Sequence, residues 1–214
     1  MKELLLIVVL ALSGACCSAP SSAQIPAASP SSKLGFSYTV PSDWEIVASQ
    51  AEMDQKKAEA SQNAGTEEEK KGLACLEPIL TARQPKTGSV LLVEALPFDC
   101  FGHELSKDDL PGFAAGAPEV LKQNFDIGEP VSATYSLGSH SMWIERAKAT
   151  LKGHPEVPFT VEITCGLLKK AAVCWMAVTA DDQALQAFEH GSVTLDGETL
   201  AALVPATAFD KKPS

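Results

Sequence analysis

The sequence has few basic residues and no strongly basic segment. Its 17 Lys and Arg are outnumbered by 27 Asp and Glu, which gives the chain a net charge of −10. An acidic chain repels the phosphates of nucleic acids, and no basic cluster with interleaved aromatic residues offsets that repulsion. We therefore expect no nucleic-acid binding, and the chain has no internal repeat of the kind that marks solenoids and propellers.

The short motifs of several enzyme classes are also missing. The sequence has no Cys-x-x-Cys, which argues against a redox-active dithiol. His103 and Glu104 could supply metal ligands, but no second histidine follows at the spacing of a zinc-protease helix. His140 stands in a Gly-Ser-His-Ser segment that lacks the Gly-x-Ser-x-Gly motif of hydrolases. We expect no catalytic residue, metal or cofactor; the alternative hypothesis is an exported hydrolase or metal-dependent enzyme that uses His103, Glu104 or His140.

The apolar run near the start of the chain is too short to be a permanent membrane span. Leu4 to Leu12 provides about half of the roughly 20 residues that a spanning helix needs. A positive start before this run and small residues after it predict a secretory signal over residues 1–23. Residues 24–33, rich in Ala, Ser and Pro, predict a flexible tether. A second interpretation is lipidation of Cys16, because its surroundings resemble a bacterial lipobox with one residue too many.

Four cysteines follow residue 23, and an even number in an exported chain predicts disulfides. From Phe159 to Leu167 apolar residues alternate with polar ones, as in a strand with one apolar face. If this strand folds back about Lys169-Lys170, Cys165 lies opposite Cys174 and the apolar residues of both strands share a face. The pattern therefore predicts a disulfide between Cys165 and Cys174.

The other two cysteines flank a second predicted hairpin. Ile79 to Arg83 and Ser89 to Leu96 are typical of strands, and a turn-rich loop separates them. Folding about the Thr87–Gly88 bond places Cys75 opposite Cys100, which predicts the second disulfide. Each bond would close a short loop and contribute about 3 kcal/mol to stability.

The rest of the chain predicts a sheet accompanied by helices. Capping boxes that begin at Ser49 and Thr66 open two polar helices, which we interpret as an insertion on the surface rather than core elements. A helical region is expected over Ser106 to Phe125, then four strands between residues 131 and 179, and a helix from Asp181 to His190. This order predicts an α+β fold, an α/β/α sandwich with a central, mainly antiparallel sheet flanked by helices.

The start of the expected domain resembles a known superfamily. Residues 35–44, Gly-Phe-Ser-Tyr-Thr-Val-Pro-Ser-Asp-Trp, are similar to a common opening of the PsbP/Mog1-like superfamily. The element order up to Gly191 and a closing helix with Phe188 also match. The resemblance covers residues 34–195 and leaves residues 196–214 as a C-terminal tail. It implies an α/β/α sandwich without shared catalytic residues, in a superfamily whose members act mainly by binding proteins or ligands.

Two features depart from that superfamily's pattern, namely the paired cysteines and the polar helices. They indicate a divergent exported subfamily. We therefore expect a periplasmic or secreted, non-enzymatic binding or accessory protein whose partner is a protein or small ligand of the cell envelope. Contact with a membrane is expected only through a lipid on Cys16.

Overall fold

A computed structural model describes residues 29–31, 34–101, 105–115 and 121–209. The elements within these ranges are, in chain order, β1 (Ser29–Ser31), β2 (Phe36–Tyr38), β3 (Glu45–Ile46), α1 (Gln50–Asn63), α2 (Glu67–Cys75), β4 (Glu77–Gln84), β5 (Ser89–Pro97), α3 (Leu110–Ala114), β6 (Phe125–Ile127), β7 (Val131–Leu137), β8 (His140–Leu151), β9 (His154–Leu167), β10 (Ala171–Thr179), α4 (Asp182–Glu189), β11 (Val193–Leu195) and β12 (Glu198–Leu200). Short 3₁₀ turns occupy Phe98–Cys100 and Lys107–Asp109. The expected signal over residues 1–23, with Cys16, and the pair His103 and Glu104 lie outside the described residues.

The strands form two antiparallel sheets. The larger sheet has the order β3-β4-β5-β10-β9-β8-β6, and β7 also pairs with β8. The smaller sheet has the order β1-β2-β11-β12. Because the sheets are antiparallel and helices accompany them, the fold is α+β, as the sequence predicts.

One face of the large sheet is covered by helices. Ala60 of α1, Leu73 of α2 and Phe113 of α3 are buried there against apolar side chains of β5, β9 and β10. We call this layer the helical core. The sequence analysis interpreted α1 and α2 as a surface insertion, and that interpretation is wrong because each places a fully buried residue in this core. Both helices are polar on the remaining face, and that polar face dominates their composition.

The opposite face of the sheet is covered by α4 together with the small sheet. Phe188 of α4 and Phe36 of β2 are buried there, and the ring of Phe36 meets the ring of Trp175 edge-on at 5.8 Å between centroids. We call this layer the mixed core. The second covering layer is therefore one helix and a small sheet, whereas the sequence predicts helices alone.

Local chemistry fixes the ends of two helices. Ser49 caps α1: its hydroxyl accepts from the backbone N–H of Glu52 at 3.3 Å, and the Glu52 carboxylate accepts from the backbone N–H of Ser49 at 2.7 Å. This is the capping box that the sequence predicts. Asp181 caps α4 by accepting from the backbone N–H of Gln183 at 2.9 Å.

The described part of the region between β5 and β7 agrees only in part with the helical region predicted over Ser106 to Phe125. The described part of that region holds α3, which ends at Ala114, and then a strand that begins at Phe125. Phe125 pairs with Leu151 at the edge of the large sheet. Its apolar side chain packs in the helical core from a strand, which is why an apolar spacing alone suggested a helix.

Packing continues beyond Leu195, where the resemblance ends. Glu198–Leu200 forms β12 against β11, and Leu203, Val204 and Ala208 are buried in the mixed core. The hydroxyl of Tyr135 donates to the backbone carbonyl of Leu203 at 2.9 Å. Part of the expected tail therefore packs in the folded core.

Candidate functional site

The two cysteine pairs frame one part of the helical core. Cys165 lies opposite Cys174 in the β9–β10 register, and the two residues are bonded with their Cα atoms 4.1 Å apart. Cys75, at the end of α2, is bonded to Cys100 in the 3₁₀ turn after β5, with Cα atoms 5.7 Å apart. Both bonds join the pairs that the two predicted hairpins bring together.

The β4–β5 hairpin reaches its cysteine pair by a different register from the one predicted. Gln84 pairs with Ser89 and Thr81 with Leu92, so the strands fold about Lys86-Thr87 and not about Thr87–Gly88. The predicted register is therefore wrong by two residues. From Leu80 to the turn this even slip keeps every side chain on its face. A bulge between Pro78 and Leu80 makes the offset three residues beyond that point, and the cysteines lie past the strand ends.

A small cavity lies in the helical core beside the bond between Cys165 and Cys174. Its volume is about 20 Å³, which is room for about one water molecule. Leu76, Leu92, Phe113, Met176 and Cys174 are among the side chains of its apolar wall.

Glu94 is the exception in that wall. It stands in the middle of β5, directly opposite Cys174 on β10 and Pro78 on β4. Its side chain is on the helical face and is only 8% exposed, and it lines the cavity. The strand therefore places a carboxyl group where its neighbours on the same face, Leu92 and Leu96, are apolar.

The carboxyl group of Glu94 has no compensating partner among the described residues. Burial raises its pKa from 4.5 to about 7, because an ionised carboxylate is poorly solvated in an apolar wall. An ionisable group with this environment in a cavity is a candidate for function. The sequence analysis missed Glu94: the available signal was a single charged residue within the apolar run Val90 to Leu96, which predicts a central strand.

A second buried polar group lies on the opposite face, in the mixed core. The Arg146 guanidinium donates to Glu162 with 2.7 Å between Nε and Oε2, and it also pairs with Glu189 at the end of α4. Its guanidinium lies over the ring of Phe209, 4.6 Å from the centroid. Glu162 is fully buried, and burial raises its pKa more than Arg146 lowers it. This cluster ties α4 and the C-terminal segment to the sheet, which is a structural role.

His140 is held at the edge of the mixed core. Its Nδ1 is 3.1 Å from the backbone carbonyl oxygen of Leu167 and 3.8 Å from Oδ2 of Asp196. The neighbouring Ser139 hydroxyl lies 3.5 Å from a carboxylate oxygen of Glu198. Ser139 and His140 thus both face the β11–β12 hairpin. Within the described ranges, no group of three or more His, Cys, Asp or Glu stands in a metal-binding arrangement.

Comparisons with known proteins find a similarity of structure and no match to a sequence family. No protein-family model matches the chain, and no curated protein matches it significantly. Its structure is similar to the solution structure of cyanobacterial PsbP (CyanoP) from Synechocystis sp. PCC 6803, with a TM-score of 0.45 and 9% sequence identity, over 79% of this chain and 89% of that chain. This similarity concerns the fold alone. No helix in the described part of the chain has the length and apolar character needed to cross a membrane.

Proposed function

We propose that the protein is an exported, non-enzymatic binding or accessory protein of the cell envelope, and that the cavity around Glu94 is its binding site. The observation that carries this proposal is the unpaired carboxyl group of Glu94 in an otherwise apolar cavity wall. Apolar pockets with one or a few placed polar groups are the usual form of a ligand site.

The surroundings of the cavity support binding rather than chemistry. Glu94 is the one ionisable side chain among the described residues that line it. General acid–base or nucleophilic catalysis needs a second group that is oriented toward the first. A single carboxyl group can anchor a ligand without such a partner.

The cysteine pairs support the proposed compartment. Both join residues that are close in the fold, and structural disulfides persist in the periplasm and outside the cell rather than in a reducing cytosol. Peptide mapping of the protein from its native host, without reduction, tests this part. We expect both linked peptide pairs and an N-terminus near Gln24; a chain with free thiols and residues 1–23 still attached would overturn it.

Comparative capture tests the binding role. The oxidised protein, its Glu94→Leu variant and its Glu129→Gln variant are immobilised and exposed to the same envelope extract. Glu129 is an exposed residue between β6 and β7, so its substitution removes one negative charge far along the sheet order from β5. A ligand or partner retained by the wild type and by Glu129→Gln, and released by Glu94→Leu, supports the cavity as the site. Identical retention by all three proteins would refute it.

The hydrolase alternative at His140 has a separate test. Hydrolysis of simple aryl esters by the purified protein is compared with that of its His140→Ala variant. We expect no turnover above background with either protein. A rate that is lost in His140→Ala would overturn the non-enzymatic proposal.

A further inference from the structure

We propose that the Glu94 cavity is a binding site for the primary ammonium group of an aliphatic amine, carried either by a free amine or by a lysine side chain of a partner protein. This inference deepens the proposed function and rests on it.

The charge of the Glu94 side chain favours a cationic ligand. The Glu94 carboxylate lies in the cavity wall without a hydrogen-bond or ion-pair partner from any described residue. Leaving a buried acceptor unpaired costs free energy that a donor can restore. A cationic donor restores the most, because charge-assisted hydrogen bonds are the stronger ones. The net charge of −10 also favours the approach of cations to this protein.

The volume of the cavity limits the size of the group that it can bind. A volume of about 20 Å³ holds about one water molecule, so only a compact head group fits. An ammonium group is compact and carries three donors, whereas a guanidinium group is a wide planar fork with five. Calcium and magnesium need six or more oxygen ligands, and a single carboxyl group in an apolar wall does not provide them.

The residues that line the cavity beside Glu94 are apolar. The walls beside Glu94 come from Leu76, Leu92, Phe113 and Met176. Such walls suit the methylene group next to the ammonium, while the rest of the aliphatic chain stays outside the cavity. Cys174, which also lines the cavity, is half-buried.

Affinity should depend on pH in a predictable direction. Glu94 is the one titratable group among the described residues that line the cavity, and burial places its pKa at about 7. An alkylammonium ion stays charged throughout this range, so binding follows the ionised fraction of Glu94. That fraction rises about tenfold between pH 6 and pH 8, and the dissociation constant should fall by about the same factor.

The test is a titration with n-butylammonium chloride, followed by the backbone amide NMR shifts of the oxidised protein. n-Butanol is the matched neutral probe, Glu94→Gln is the matched variant, and Glu129→Gln controls for net charge. We expect saturable shifts in β5 and β10 for the wild type and for Glu129→Gln, about tenfold tighter at pH 8 than at pH 6. We expect no saturable shift with n-butanol or with Glu94→Gln.

The sources of the ammonium group are separated by a second probe. N-acetyl-lysine methylamide presents the same group on a peptide backbone. Binding of this probe at least as tight as that of butylammonium indicates a lysine of a partner protein; tighter binding of butylammonium indicates a free amine.

Equal shifts with n-butanol, persistence in Glu94→Gln, or no saturation up to about 100 mM amine would overturn the inference. If amines fail to bind and Glu94→Leu still loses its captured partner, the proposed function stands and the ammonium inference falls. If the capture experiment also shows no difference, both fall together. Amide spectra that retain the wild-type dispersion show that each variant is folded, and Glu94→Leu provides a second test should Glu94→Gln misfold.

Discussion

The buried carboxyl group of Glu94 should make the protein less stable as the pH rises through neutrality. Its pKa in the folded protein is about 7 and its usual value is 4.5. The folded chain therefore holds this proton more tightly than the unfolded chain does. The resulting stabilisation is fully present below pH 4.5 and is lost as the pH rises through about 7. The gap between the two pKa values corresponds to about 3 kcal/mol in total.

The perturbation that isolates this contribution is Glu94→Gln. Glutamine keeps the size of the protonated side chain and does not titrate, so its own cost is the same at every pH. Between pH 5 and pH 8 the wild type should lose about 2.5 kcal/mol more unfolding free energy than the variant. Other titrating groups, such as Glu162 on the opposite face of the sheet, contribute to both proteins and cancel in the difference.

Urea unfolding of the oxidised proteins at pH 5 and pH 8, followed by circular dichroism, measures the effect. Glu129→Gln serves as the control and should match the pH dependence of the wild type. Equal pH dependence in the wild type and in Glu94→Gln would refute the reasoning, because it would mean that Glu94 is solvated or paired in the folded chain.

Three further predictions concern the elements around the two cores. Replacing both Cys165 and Cys174 with alanine should lower the unfolding free energy by about 3 kcal/mol in urea unfolding, and a loss near zero would contradict the loop-closure argument. Tyr38→Phe removes the hydroxyl that donates to the last turn of α4 at 2.9 Å and should cost about 1 kcal/mol; unchanged stability would show that this bond contributes nothing. Arg146→Met should cost roughly 3 kcal/mol or more at pH 8, because it leaves buried Glu162 uncompensated. The loss should be smaller at pH 5, because burial raises the pKa of Glu162 and acid favours its neutral form. Glu162→Gln in the same chain should recover part of the loss; an equal loss at both pH values would argue against this account.

The β9–β10 hairpin shows what a sequence pattern can specify. The alternation of apolar and polar residues over Phe159 to Leu167 indicates which side chains share a face of the sheet. The two cysteines then indicate which residues of the two strands lie opposite each other. Together they predict the register of the structure, in which Cys174 meets Cys165 and Met176 meets Ile163.

The β4–β5 hairpin has no cysteine pair within its strands that would indicate their register. Because Val90 to Val93 is apolar on both faces, the sequence does not show which of these side chains share a face. The turn itself sets the register: the Gln84 side-chain oxygen accepts from the backbone N–H of Thr87 at 2.8 Å, which closes the turn one residue before the predicted position and shifts the pairing by two. A side chain folding back on its own turn leaves no periodic signal in the sequence.

The candidate site could not be predicted from the sequence for a related reason. Glu94 is informative only because Phe113 of α3 and Leu76 after α2 cover it, and those contacts join segments that are distant in the sequence. A lone glutamate in an apolar run has no motif. Its meaning comes from burial, which the fold creates.

The placement of both disulfides on the helical side of the sheet gives the two faces different sensitivities to reductant. The mixed core is held by noncovalent contacts, such as the Tyr38 and Tyr135 hydroxyl bonds and the Arg146 cluster, and these do not respond to thiols. The helical core borders both bonds. Under mild reduction, amides of α2 and of the β9–β10 hairpin should exchange with deuterium sooner, while β2 and α4 keep their protection. The packing of the helical core over the Glu94 cavity would then depend on the redox state of the cysteines, whereas the mixed core would keep its structure in either state.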